Sequence, residues 1–206
     1  MKQKTTQALY AYWNAVRRDR LAPRRFEIEP ARIPDLLPAT FILERMGAEK
    51  YRFRLAGTRI CEVFGSELRG TDLLDGWSVA DHDELLGLLH SVTDRGAVGV
   101  ATVDLETAGG HRAELEILIL PLLHTNDTVD RLLGAISVKD DPDWLGHEQP
   151  VTRRLVSVET IWPEGKPHEM VERQHHQAPF LSHIRSARIV RSNRRQFRVY
   201  DGGRDR

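Results

Sequence analysis

The chain has 206 residues, 30 Lys+Arg against 30 Asp+Glu, 40% hydrophobic residues and one cysteine, enough to bury a core as one domain with extensions or two small domains. A single cysteine excludes an internal disulfide and a cysteine-built zinc site, so the composition fits a cytoplasmic protein rather than a secreted scaffold. The zero net charge is a sum of unlike parts: residues 1–25 hold seven Lys/Arg and one acid, residues 185–206 eight Arg and two acids, and the body between them 15 bases and 27 acids.

The first six residues lead into polar and aromatic side chains rather than the apolar run of a signal peptide, and no segment reaches the ~18 apolar residues of a membrane span. Neither export nor membrane insertion is expected. Leu9, Tyr12, Trp13 and Val16 then recur at i, i+3, i+4 and i+7, the apolar stripe of an amphipathic helix that Pro23 bounds. Such a stripe either docks on the chain's own sheet or pairs with a second subunit, which makes these four residues the candidate interface of a homodimer. Residues 31–38 read as a turn of helix ended by Pro38.

Residues 40–46 and 51–56 read as a β-hairpin, the second run alternating Tyr51, Phe53 and Leu55 against Arg52 and Arg54. A short helix from Thr58 ends at Gly65, and a glycine-punctuated turn region continues to Trp77. From Asp81 the stripe Leu85, Leu88, Leu89 and Val92 marks a longer helix, with acids in its first turn and Gly96 after its last. Residues 97–107 and 112–122 form a second strand pair about Ala108-Gly-Gly110. A three-residue loop with glycine in the left-handed position sets Val103 opposite Leu115, Leu105 opposite Ala113 and Glu106 opposite Arg112. That register gathers Asp104, Glu106, Glu114 and Glu116 on one face, where they repel unless water or a base relieves them. Residues 132–138 give a fifth strand, 155–158 suggest one more, and 167–177 read as a polar helix. The plan is α+β, strands and helical segments around one antiparallel sheet.

Tyr51-Arg-Phe-Arg-Leu-Ala-Gly-Thr-Arg-Ile-Cys-Glu-Val-Phe-Gly65, with Glu67-Leu-Arg-Gly70 and Trp77, resembles a bacterial family of small PAS-like proteins without an attached output domain. Tyr12-Trp13, Arg20-Leu-Ala-Pro-Arg-Arg25, Leu36-Leu-Pro38 and Leu133-Gly-Ala135 are similar too, as is the closing Phe197-Arg-Val-Tyr-Asp-Gly-Gly203. The resemblance implies a PAS fold over residues 31–140: a five-stranded antiparallel sheet in the order 2-1-5-4-3 with helices on one face. Residues 1–30 then form an N-terminal helix and basic segment, and 141–206 a C-terminal extension with an arginine-rich tail. It also implies a non-catalytic sensory or protein-interaction module in bacterial signalling, a homodimer with a regulatory protein partner and a small-molecule ligand.

An apolar ligand pocket, if the fold leaves one, is expected between the inner sheet face and the short helices. Its candidate lining is Phe41, Phe53, Leu55, Ile60, Phe64, Trp77, Leu89, Val103, Leu115 and Ile117, although a filled core needs the same residues. No cofactor is identified. Cys61 is considered for flavin chemistry, but its Arg-Ile-Cys-Glu-Val-Phe setting departs from the Asn-Cys-Arg-Phe type, and a small core residue is the better reading. His82 and His90 are considered as haem ligands, and His168, Glu172, His175 and His176 as a metal cluster on one helical face; hydrogen-bonded or solvated roles are favoured for all. Arg185, Arg188, Arg191, Arg194, Arg195 and Arg198, with Phe197 and Tyr200, offer a lesser reading as a nucleic-acid contact. No Walker A motif, kinase signature or Gly-x-Ser-x-Gly elbow is present, and no catalytic residue is expected.

Overall fold

The computed structural model describes residues 1–124 and 128–165. Its strands are β1 (Thr40–Arg45), β2 (Tyr51–Ala56), β3 (Val98–Thr107), β4 (Arg112–Leu123), β5 (Val129–Val138) and β6 (Pro150–Ile161). Its helices are α1 (Lys4–Arg17), α2 (Thr58–Phe64) and α3 (Val79–Arg95), with short 3-10 turns between α1 and β1. The turn at Pro34–Ala39 runs through Pro38 rather than ending there. All strands pair antiparallel in one sheet ordered β2-β1-β5-β4-β3-β6. The first five stand in the expected order; the sheet has six strands rather than five because residues 150–161 add themselves to the free edge of β3.

Local signals set the helix ends. The Ser78 hydroxyl accepts a bond from the Asp81 N–H at the start of α3, and Gly96 ends it with φ 71°. Across the β3–β4 hairpin, Val103 faces Leu115, Leu105 faces Ala113 and Glu106 faces Arg112, as a three-residue loop requires.

The sheet is apolar on both faces. On the inner side α3 lays Leu85, Leu88, Leu89 and Val92 over it, all fully or nearly fully buried. On the outer side α1 crosses β4 and β5, with Leu9 and Trp13 at 0% exposure and the Trp13 indole N–H donating to the Pro121 carbonyl at 2.9 Å. Burying each of these side chains contributes about 1.5–3 kcal/mol or somewhat more for the indole. Leu9 and Trp13 are therefore buried inside their own chain, whereas Tyr12 and Val16 are half-buried.

The acidic face of the β3–β4 hairpin is relieved group by group. Asp104 pairs with Arg154 at 2.6 Å, Glu106 with Arg112 at 3.2 Å and Glu114 with Lys139 at 3.6 Å. Glu116 is buried beneath the start of α1, accepting the backbone N–H groups of Lys2 (2.6 Å) and Gln3 (3.1 Å) and the Thr6 hydroxyl. These bonds fix where α1 begins on the sheet. The arginine tail lies outside the described residues.

The connection from β5 to β6 must pass β4 and β3 along one end of the sheet. It is held on the way: Asp141 pairs with Arg59 of α2, the Gln149 amide donates to the Gly65 carbonyl at 2.9 Å, and Glu148 meets His111 at the hairpin tip at 3.0 Å. Residues 139–165 are thus built onto the same core rather than set apart from it.

Candidate functional site

Between the inner sheet face and the segment after α2 lies a cavity of about 220 Å³. Its floor is Phe53 of β2, Val103 of β3, Ile117 of β4 and Ile136 of β5; its other walls are Phe64 at the end of α2, residues of the 66–77 segment, and Arg153 of β6. The 66–77 segment is stitched to the outer edge of β2. The Phe53 N–H donates to the Thr71 carbonyl at 2.9 Å, the Gly70 N–H to the Phe53 carbonyl at 2.8 Å, and the Leu73 N–H to the Tyr51 carbonyl at 2.9 Å. That stitching covers an edge that would otherwise present unpaired backbone groups, and it suspends Leu68, Leu73 and Trp77 over the sheet.

Polar side chains sit among the apolar ones. Asp72 Oδ1 accepts the N–H groups of Tyr51 (3.2 Å) and Leu74 (3.0 Å), and Asp75 Oδ2 accepts that of Asp72 (3.3 Å). The Trp77 indole N–H donates to the Leu73 carbonyl at 2.8 Å. Over the Trp77 ring, 5.5 Å from its centroid, lies the guanidinium of Arg153. Gly76 makes this approach possible: at φ +75°, a Cβ there would stand 2.5 Å from Arg153 Nη2. Burial lowers the pKa of Arg153, opposed in part by the charge of Asp75.

Of the ten residues expected from sequence, Phe53, Phe64, Trp77, Val103 and Ile117 line the cavity. Phe41 stands behind the wall, edge-on to Phe53 with ring centroids 5.6 Å apart, while Ile60, Leu89 and Leu115 are core. Leu55 is a correction, since it is 46% exposed. A bulge between Ile42 and Leu43 sets Leu43 opposite Phe53 but Ile42 opposite Leu55, so the alternation that carries Tyr51 and Phe53 inward is broken before Leu55. Ile136 and Arg153 went unforeseen. Ile136 was legible from the inward alternation of Leu132 and Ile136 on β5, whereas the cavity position of Arg153 depends on the pairing of β6 with β3.

The other candidates fall elsewhere. Cys61 is half-buried with its Sγ 3.8 Å from Glu67 Oε1, and it is not on the cavity wall. His90 bonds the Ala48 carbonyl at 2.8 Å and His82 sits 3.3 Å from Asp83, both away from the cavity. Among the described residues no three His, Cys, Asp or Glu side chains are grouped to hold a metal. The helix expected over 167–177, with His168, Glu172, His175 and His176, falls outside the described residues. Among the described residues no helix is long and apolar enough to cross a membrane.

Comparison with known proteins gives three findings. A family model described as a PAS domain matches residues 1–137. No curated protein matches the chain. A solved chain from a study of a flavin analogue and the mechanism of a light-oxygen-voltage domain is similar at 14% identity and a TM-score of 0.41, covering 54% of this chain and 84% of that one.

Proposed function

The chain belongs to the PAS domain family, and from that premise we propose that it is a cytoplasmic, non-catalytic sensory module. In this reading a small molecule enters the cavity, and its presence changes the surface offered to a regulatory protein. The observation that carries the reading is the cavity itself. Its walls come from the sheet, the end of α2 and the 66–77 segment, so an occupant touches all three and adds to the backbone bonds that already hold the segment on β2. About 150 Å³ suffices for benzene, so 220 Å³ holds a single ring with one substituent.

Flavin does not fit these residues. The cavity is smaller than the ~300–1,000 Å³ of sites for drug-sized ligands, and Cys61 points to Glu67 rather than into it. Haem fits no better, because His82 and His90 lie off the wall.

The test is thermal unfolding with a small aromatic solute such as benzene, in the natural chain and in Val103→Phe, which fills the floor. Ligand at ten times its Kd stabilises by about 1.4 kcal/mol, or roughly 3–5 °C for a chain of this size. The rise should appear in the natural chain and vanish in Val103→Phe. Equal responses, or none in either, would sink the proposal.

A further inference from the structure

We propose that the occupant is a small organic acid, its apolar body against Phe53, Val103, Ile117 and Ile136 and its carboxylate on the guanidinium of Arg153. This rests on reading the cavity as a ligand site and names the chemical class the site takes.

The inference follows from an inventory of the polar groups on the wall. The Ser66 hydroxyl donates to the Phe64 carbonyl at 3.5 Å and the Thr71 hydroxyl to the Leu68 carbonyl at 2.7 Å. Asp72 and Asp75 accept backbone N–H groups, and the Trp77 indole has its carbonyl. Each has a hydrogen-bond partner within the chain, through one oxygen in Asp72 and in Asp75. Arg153 differs: its five N–H donors make no hydrogen bond or ion pair among the described residues, and its one partner is the face of Trp77. Asp75 is near enough to influence Arg153 electrostatically but not near enough to pair with it.

A guanidinium held against an aromatic face and partly withdrawn from water keeps its charge and gives up part of its hydration. A carboxylate meets that need with two parallel bonds, which a neutral ligand cannot supply. The apolar floor beside it sets the rest of the ligand's character: one ring, or a short branched chain, with one acidic end. Arg153 belongs to β6, beyond the residues 1–137 that match the family model, so the extension supplies the group that selects the ligand.

The experiment uses the full chain and two probes of nearly equal shape, sodium benzoate and benzamide, each titrated by calorimetry into the millimolar range where fragments of this size bind. Expected is benzoate binding at least roughly tenfold tighter than benzamide, the scale of a hydrogen bond to a charged group. In Arg153→Met, which keeps an unbranched apolar stem and removes the guanidinium, benzoate should weaken to the level of benzamide while benzamide itself is unchanged, which also shows that the variant is folded. If both probes bind the natural chain equally, the acid preference is overturned while the cavity remains a ligand site. If benzoate keeps its advantage in Arg153→Met, the carboxylate lies elsewhere and the assignment to Arg153 fails. If neither probe binds while benzene stabilises the natural chain, the acid proposal fails alone; if benzene fails too, the sensory reading falls with it.

Discussion

Removing the indole of Trp13 tests how the N-terminal helix is held. Trp13 is fully buried on the outer sheet face, donates to the Pro121 carbonyl at 2.9 Å, stacks with Tyr10 at 6.1 Å and lies under Arg17 at 5.5 Å. Truncation of such a side chain costs about 3–5 kcal/mol, and the Pro121 carbonyl loses its donor as well. At about 2–4 °C per kcal/mol, Trp13→Ala should therefore melt roughly 10 °C below the natural chain. Trp13→Phe keeps most of the packing and loses the hydrogen bond, so its cost should be smaller, on the order of 1–2 kcal/mol. The assay is equilibrium urea unfolding at two protein concentrations tenfold apart. Helix docking within one chain predicts the same loss at both. A loss under about 1 kcal/mol, or one that grows as the protein is concentrated, would refute the reasoning, because stabilisation by a second subunit follows mass action and favours the natural chain more at higher concentration.

Burial pushes the Glu116 carboxyl up, but its bonds from Thr6, Gln3 and Lys2 more than offset this and hold it below the usual carboxylate range. Its contribution is thus present above the unfolded-state value of ~4.3 and lost as pH falls through the lower folded value, so Glu116→Gln should be destabilised at pH 7 and show a flatter acid limb in pH-dependent unfolding. A Cβ on Gly134 would stand 2.0 Å from Phe41 Cζ and 2.5 Å from the Leu118 carbonyl oxygen, so Gly134→Ala should lose about 1–3 kcal/mol in thermal unfolding despite adding only a methyl group. If β6 is integral to the core, Leu155→Ala, at a buried position, costs about 2–3 kcal/mol by urea midpoint, whereas Val156→Ala, half exposed, stays within about 0.5.

Much of the frame was legible residue by residue. Gly65 and Gly96 stop α2 and α3 where the apolar stripes end, and β2 falls on residues 51–56 as the alternation predicts. The β3–β4 register follows from loop length because a three-residue hairpin fixes its own pairing. The candidate site was half legible. Phe53, Val103 and Ile117 were found because inward alternation holds along their strands; Leu55 was misplaced because a bulge, invisible in a two-residue period, intervenes. Phe64 and Trp77 were found from hydrophobicity near glycine-rich turns, whereas Asp72 and Asp75 gave no signal that the segment would fold back along β2.

Where elements start, stop and turn is written locally in the sequence, since capping, hairpin geometry and hydrophobic period act over a few neighbouring residues. The sequence left open whether α1 would dock on its own sheet or on a second subunit, and it could not say that Arg153 stands over Trp77. Those outcomes depend on groups distant in the chain. Trp13 meets the Pro121 carbonyl, Thr6 meets Glu116, and Arg153 reaches the cavity because the connection after β5 passes β4 and β3 and lets β6 pair with the edge of β3. Tertiary structure alone decides these, because the free energy of burying a face depends on which distant surface it meets, and no local pattern records that surface.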